Sequence, residues 1–370
     1  MLPRIKINYL NGQLGTVAPS EDGLFLLVCL GAATGSLALD KGYSVRSVAD
    51  FEVLGASREN NPDAYVQVEN FYKEASEGTE LIVMLVEGVS FGDVGGKVYS
   101  VLEEYGGSIR GVFSALEDNE SDLTDTETYA KYAAEKLYAP VFFVLNFAAG
   151  TVDFSKATNN HTAVLLGYFE DEVEGACTAV GLLAGRLASI PVHRNIGRVK
   201  DGALAATSMY LLPDDISLTI TAVEAAHAKG YIVPRTYTGL SGYYFADDCM
   251  ACDPTDDYAH LTARRTVDKA YRIAYQTLVQ FMLDEIEVNE DGTMQNGIIK
   301  TWQQAVENAI NSRMTAAGEL SATDGEGCVC YIDAKQNVLA TGTVKVTLKV
   351  RPYGYARYID VDLGFQVNKQ

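Results

Sequence analysis

Leu81-Ile-Val-Met-Leu-Val86 decides the fold: six apolar residues stand in a row, with no polar position to mark a wet face. A run of this length that is apolar throughout reads as a strand buried on both faces, as in a parallel sheet covered by helices. Working outward, Leu24-Phe-Leu-Leu-Val-Cys29 and the stretches 109–114 and 141–147 repeat the pattern. Between these runs, 63–75 and 126–138 carry apolar residues at helical spacing with charges elsewhere, which completes an α/β alternation. The acidic stretch 117–125 is expected to cap the second of these helices, because carboxylates satisfy free amides at a helix start and oppose its dipole. A further strand, 162–169, leads into an apolar helix over 177–189. Gly181 and Gly185 stand four apart on it, which points to close packing against another element.

The rest of the composition narrows the function. The chain has 370 residues, 48% hydrophobic and 21% charged, which is globular, and a formal charge of −20. Such a charge repels phosphate backbones and anionic lipid headgroups, so nucleic-acid and membrane partners are not expected. The longest apolar stretches, 24–33 and 141–149, are too short to span a bilayer. Glu21 and Asp22 precede the first where a signal peptide would need basic residues, so synthesis in the cytoplasm is expected.

After Pro213 the pattern changes. A helix over 218–228 precedes a β-rich stretch, 231–245, which ends in the acidic turn segment 247–257. The strongest helical period follows over 258–285. Ala263, Val267, Tyr271, Ala274, Leu278 and Met282 recur every three or four residues, which predicts one buried stripe with Arg264, Arg265, Asp268, Lys269 and Arg272 off it. Asp291-Gly292 marks a turn, and 302–314 reads as another amphipathic helix.

The chain begins and ends on alternating patterns. Ile5, Ile7 and Tyr9 alternate with Lys6 and Asn8 ahead of a Gly/Pro/Ser-containing linker, which reads as a lone strand. Near the C-terminus, Val344, Val346, Leu348 and Val350 alternate with Lys345, Thr347, Lys349 and Arg351. Then Ile359, Val361 and Leu363 alternate with Asp360 and Asp362. With Pro352-Tyr353-Gly354 as a turn, these two strands are expected to pair, one basic face against one acidic face.

No catalytic signature emerges. Gly96-Lys97 has Phe91 where a P-loop needs glycine and Val98 where it needs Ser or Thr, and no G-x-G-x-x-G follows the first strand. His161, His193, His227 and His260 form neither H-E-x-x-H nor H-x-H and read as structural, and no G-x-S-x-G occurs. Cys249-Met-Ala-Cys252 and Cys328-Val-Cys330 offer four thiolates to a tetrahedral zinc, but the second pair lacks the usual spacer and a long helix separates the two. A disulfide is disfavoured in a reducing compartment. The expectation is free thiols, with no metal and no cofactor.

The segment Gly181-Leu-Leu-Ala-Gly-Arg-Leu-Ala-Ser-Ile-Pro-Val-His-Arg-Asn-Ile-Gly-Arg-Val-Lys-Asp-Gly202 resembles the middle of contractile tail sheath proteins of phages and prophages. Gly242-Tyr-Tyr-Phe-Ala-Asp-Asp248, Asp257-Tyr258 and Arg264-Arg-Thr-Val-Asp-Lys-Ala270, followed by Asp291-Gly292, a second helix and terminal strands, resemble the C-terminal block of the same family. The likeness is specific over 180–370 and general before it; Cys249 and Cys252 stand where that family's pattern has ordinary turn residues. It implies a 1–20 arm and linker, a 21–212 α/β domain with a largely parallel sheet, and a 213–370 α+β domain ending in paired strands. It also implies a structural, non-enzymatic subunit that polymerises helically around a tail tube, contracts, and meets copies of itself, the tube and the baseplate. The particle would be a virion tail or a tail-like assembly. Terminal arms that add strands to a neighbour's sheet are part of that implication, which nominates Ile5, Ile7, Tyr9, Lys345, Val346, Leu348, Lys349, Val350, Arg351, Asp360, Val361, Asp362 and Leu363 as inter-subunit residues. The pattern alone is equally compatible with pairing inside one chain. The competing functions are an α/β hydrolase-like enzyme, which would need a pocket of convergent titratable groups, and another tail or baseplate protein.

Overall fold

The computed structural model describes residues 21–211, 217–322 and 325–364. The apolar runs become β1 (Phe25–Leu30), β3 (Leu81–Val86), β4 (Gly111–Ser114), β5 (Phe142–Asn146) and β6 (Thr162–Leu165), and β2 (Gly42–Val45) lies at one edge. The sheet order is β2-β3-β1-β4-β5-β6, parallel throughout except that β2 runs antiparallel to β3. Every residue of β3 is buried, as a strand covered on both faces requires. Edge strand β2 has no such run and is invisible to that reading.

Helices α1 (Pro62–Glu74), α2 (Phe91–Glu104) and α3 (Asp122–Lys136) connect the strands, and α4 (Val180–Ser189) follows a small antiparallel sheet of β7 (Tyr168–Asp171), β8 (Gly175–Thr178) and β9 (Met209–Tyr210). Two separate apolar clusters result. In one, Phe25, Phe71 and Phe113 pack with Leu182 and Leu183; in the other, Phe91, Phe143, Val98 and Tyr231 meet. Gly181 and Gly185 perform the close packing expected of them: a Cβ at either would lie 2.3 Å from a backbone oxygen of α1, that of Gln67 or of Phe71.

Helix α2 carries Gly92, Gly95 and Gly96, whose low helix propensity hides it. The acidic stretch serves two helices: Asp122 and Asp125 stand in the first turn of α3, as expected, and at the start of α2 Asp118 Oδ1 accepts from Phe91 N at 2.8 Å and Asp122 Oδ1 from Gly92 N at 2.8 Å. Asp118 Oδ2 also accepts from Asn146 N. One carboxylate thus fixes a helix start to the carboxyl end of β5.

The C-terminal elements are α5 (Ile220–Ala228), α6 (Leu261–Leu278), α7 (Asn296–Ile310), β10 (Cys328–Ile332) and β11 (Val346–Val350). By compactness the chain divides between Met282 and Leu283, so 217–282 packs with the first unit, whereas the reading from sequence divided it at 212/213. In the second unit, β10 and β11 form a two-stranded antiparallel sheet beside α7, over a small core of Met294, Ile299 and Ile332.

Candidate assembly surface

Several of the residues that carry the resemblance, Arg186, Asp248, Arg264, Arg265 and Asp268 among them, are buried in the first unit. Asp248 is fully buried; it accepts from Asn195 Nδ2 at 2.7 Å and Thr262 N at 2.8 Å, and its Oδ1 lies 3.1 Å from His260 Nδ1. Burial alone would raise its pKa, but the hydrogen bonds and the His260 charge hold it well below the ordinary carboxylate range. Through Thr262 N the side chain caps α6 from outside the helix.

The buried face of α6 is not the apolar stripe. Arg264, Arg265 and Asp268 are buried, whereas Ala263, Val267, Ala274 and Leu278 are half-buried and Tyr271 and Met282 exposed. Charges are tolerated inside because Arg264 and Asp268 pair with each other and Arg265 meets backbone carbonyls. Arg264 holds Asp268 and lies 3.2 Å from His161 Nε2, whose Nδ1 meets Glu127 Oε2 at 3.0 Å. Arg265 donates to Leu187 O. Asp22, near the start of the described residues, meets Lys269 at 2.6 Å and Arg272 at 2.7 Å, so a three-charge knot ties it to α6. In the Gly181–Gly202 segment, Arg186 pairs with Glu74 at 2.7 Å and donates to Gly202 O and Ala203 O.

Among the nominated strand residues, Ile5, Ile7 and Tyr9 lie outside the described residues. Val346, Leu348, Lys349 and Val350 belong to β11, flanked by Lys345 and Arg351. Their partner in the chain is β10, in register Cys328↔Val350, Cys330↔Leu348 and Ile332↔Val346. The expected hairpin with 358–365 is therefore absent among the described residues; 351–364 has no regular structure. The Cys-x-Cys spacing that resembled half a zinc site is strand alternation, Cys328 and Cys330 facing inward while Val329 and Tyr331 are exposed. Burial raises both thiols to about 11. Cys249 and Cys252 lie in the other unit.

The two edges of this small sheet differ. Cys330 N donates to Glu307 Oε1 at 2.8 Å and Arg351 N to Gly327 O at 2.8 Å. Antiparallel alternation then turns the backbone groups of Val346, Leu348 and Val350 away from β10, on an edge where the described residues place no further strand. A glutamate side chain occupies a donor on the β10 edge, and β11 presents its row open. Beyond it, the tail exposes Ile359 (78%), Val361 (75%) and Leu363 (95%), with Asp360 and Asp362 between them. The geometry supplies an acceptor edge lined by Lys345 and Lys349 and a strand-length acidic tail that the chain itself leaves uncovered.

The fold is shared with solved tail structures. A chain of the anti-feeding prophage helical sheath in its contracted state superposes with a TM-score of 0.69 at 16% identity, over 98% of this chain and 99% of that one. A chain of the anti-feeding prophage baseplate gives 0.69 at 16%, over 99% of each. The sheath tail protein of Desulfitobacterium hafniense gives 0.60 at 10%, over 90% and 94%. A search of the curated proteins finds no match. No helix among the described residues is long and apolar enough to cross a membrane. The DUF2586 N-terminal domain model matches residues 2–249 and the DUF2586 C-terminal domain model residues 257–370, so the chain belongs to the DUF2586 family.

Proposed function

We propose that the chain is a structural, non-catalytic subunit of a contractile tail sheath, polymerising helically around a tube and shortening on triggering. The observation that carries this reading is the pairing of an open β11 edge with an uncovered tail in one chain of sheath-protein fold. Tyr358–Leu363 of one copy adds to the outer edge of β11 in the next, and the N-terminal arm, with Ile5, Ile7 and Tyr9, adds a further strand. Backbone hydrogen bonds supply the link; Asp360 and Asp362 meeting Lys345 and Lys349 set its direction. A donor that adds to the acceptor edge of the next copy makes a head-to-tail contact, which propagates as an open helix. The subunit is made in the bacterial cytoplasm and assembles, with tube and baseplate proteins, into a virion tail or tail-like particle.

Negative-stain microscopy and sedimentation of the full chain, of a chain ending at Gly354 and of a chain lacking 1–11 test this. Tubes of uniform diameter from the full chain, and folded monomers from both truncations, are expected. Tubes from both truncated chains would overturn the linkage, and a persistent full-length monomer with hydrolase turnover would overturn the function. The charge swap sharpens the test: Asp360→Lys with Asp362→Lys should weaken assembly in a salt-sensitive way, since exposed pairs contribute only about 0–1 kcal/mol each, and Lys345→Asp with Lys349→Asp on the same chain should restore it.

A further inference from the structure

His227, Asp247 and Cys249 converge from separate parts of the first unit: one donor atom from each lies within 4.8 Å of the others, and Cys249 Sγ is 3.6 Å from His227 Nδ1. We propose that this triad is a transition-metal site, suited to zinc, that clips the end of α5 to the 244–252 segment. The donor set of one thiolate, one imidazole and one carboxylate suits zinc better than the hard cations, which take oxygen alone. A sulfur–nitrogen separation of 3.6 Å fits two ligands on one tetrahedral ion.

The three donors sit on fixed backbone. Asp247 Oδ1 accepts from Asn195 Nδ2 at 2.6 Å and from Asp248 N at 2.9 Å, the kind of outer hydrogen bonding that orients a ligating carboxylate. Cys249 bridges His260 through the backbone, with Met250 N on Ala259 O and Leu261 N on Asp248 O at either side. His227 occupies the last turn of α5, which closes on Gly230, at φ +92°, through Gly230 N on His227 O. Cys249 and His227 are both half-buried, which leaves a path for the ion and for a water as fourth ligand. Binding would expel the thiol proton to solvent and leave the sulfur as thiolate.

The same residue types also form nucleophilic triads, and the geometry separates the two readings. In a catalytic relay the imidazole stands between thiol and carboxylate, placing a ring width and two hydrogen bonds between them. Here carboxylate oxygen and sulfur are themselves within 4.8 Å, too close for an imidazole to stand between them.

The test uses the full untagged chain, purified without chelators, with elemental analysis and titration of the apoprotein by Co²⁺. About one metal per chain and a thiolate-to-cobalt charge-transfer band are expected, both lost in Cys249→Ser and in His227→Ala and retained in Cys328→Ser with Cys330→Ser. Asn195→Ala should weaken Co²⁺ binding about 10–100-fold without abolishing the band. Thiol labelling of wild type gives a reading independent of variant folding: zinc should slow modification of Cys249 alone. A metal-free protein whose apo form shows no cobalt band, or a band that survives Cys249→Ser, would overturn the assignment.

Discussion

Gly181→Ala and Gly185→Ala test the packing that positions the whole first unit. At Gly185 a new Cβ would stand 2.3 Å from Phe71 O and 2.8 Å from the Glu74 Cβ; at Gly181 it would stand 2.3 Å from Gln67 O. These obstacles are mostly main chain of α1, which no rotamer change moves aside, so the two helices must separate by about 1 Å to restore normal contact. A gap of that size forfeits roughly a quarter to a half of each dispersion contact along the seam, where Phe71, Leu182 and Leu183 are fully buried. Overpacking of this kind costs about 1–3 kcal/mol, against a gain of about 1 kcal/mol from replacing glycine by alanine in a helix. Each substitution should therefore destabilise by up to about 2 kcal/mol net. The double variant should cost less than the sum, because one displacement relieves both clashes. Gly297→Ala, in α7, is the control: a Cβ added there would meet no atom within 4 Å, and the substitution should be neutral or slightly stabilising. Calorimetry follows the first unit, while fluorescence of Trp302, the one tryptophan and a residue of α7, follows the second. An unchanged or raised melting temperature in either variant, or strict additivity in the double, would refute the reasoning.

Burial raises the Asp118 carboxyl to about 7, so its stabilising contribution is complete below the unfolded value near 3.8 and is lost as pH rises through about 7. Chemical denaturation should show stability from this group falling between about pH 4 and pH 7 by a few kcal/mol, and Asp118→Asn should flatten that slope. Asp248 has the opposite sign: its folded pKa is depressed, so its contribution is present above the unfolded value and is lost as pH falls below about 4. Asp248→Ala, which leaves the buried Thr262 N without its acceptor and takes one of two acceptors from Asn195 Nδ2, should cost about 3–5 kcal/mol by urea melts at neutral pH. On α6, Ile273→Ala should cost about 2–5 kcal/mol because Ile273 is buried, while the half-buried Leu278→Ala should cost clearly less; equal losses would show that the burial face is misassigned.

The parallel sheet was legible because a strand covered on both faces must be apolar at every position, and β3 obeys that without exception. Gly181 and Gly185 were legible because four-residue spacing places them on one helix face. Helix α2 was not, because its glycines admit Tyr129 and Asp122 at close range, a requirement set by residues from another part of the chain. Strand β10 was hidden by its own composition. Cys-Val-Cys-Tyr-Ile invites a reading as metal chemistry, and only the burial alternation shows the two thiols to be core side chains beneath α7. The pairing of β11 failed for a related reason. Two alternating segments joined by a turn motif favour a local hairpin, and nothing local says that a preceding strand already occupies one edge.

Helix α6 shows where periodicity stops being evidence of burial. A polarity-based stripe finds the side of a helix rich in apolar residues, and on α6 that is the side left half open. The side turned inward carries Arg264, Arg265 and Asp268, and it is stable there only because partners arrive from far away: His161 with Glu127 behind it, and the carbonyl of Leu187. None of these partners is near α6 in sequence, so no window of the helix contains the information. Segments far apart in the chain supply it: Asp248 caps the helix start through Thr262 N and Asp22 meets Lys269 and Arg272, while Arg264 holds Asp268 within the helix. The same knot ties Asp22, near the start of the described residues, to α6, so a helix more than two hundred residues away in the chain is fixed to it by charge pairs.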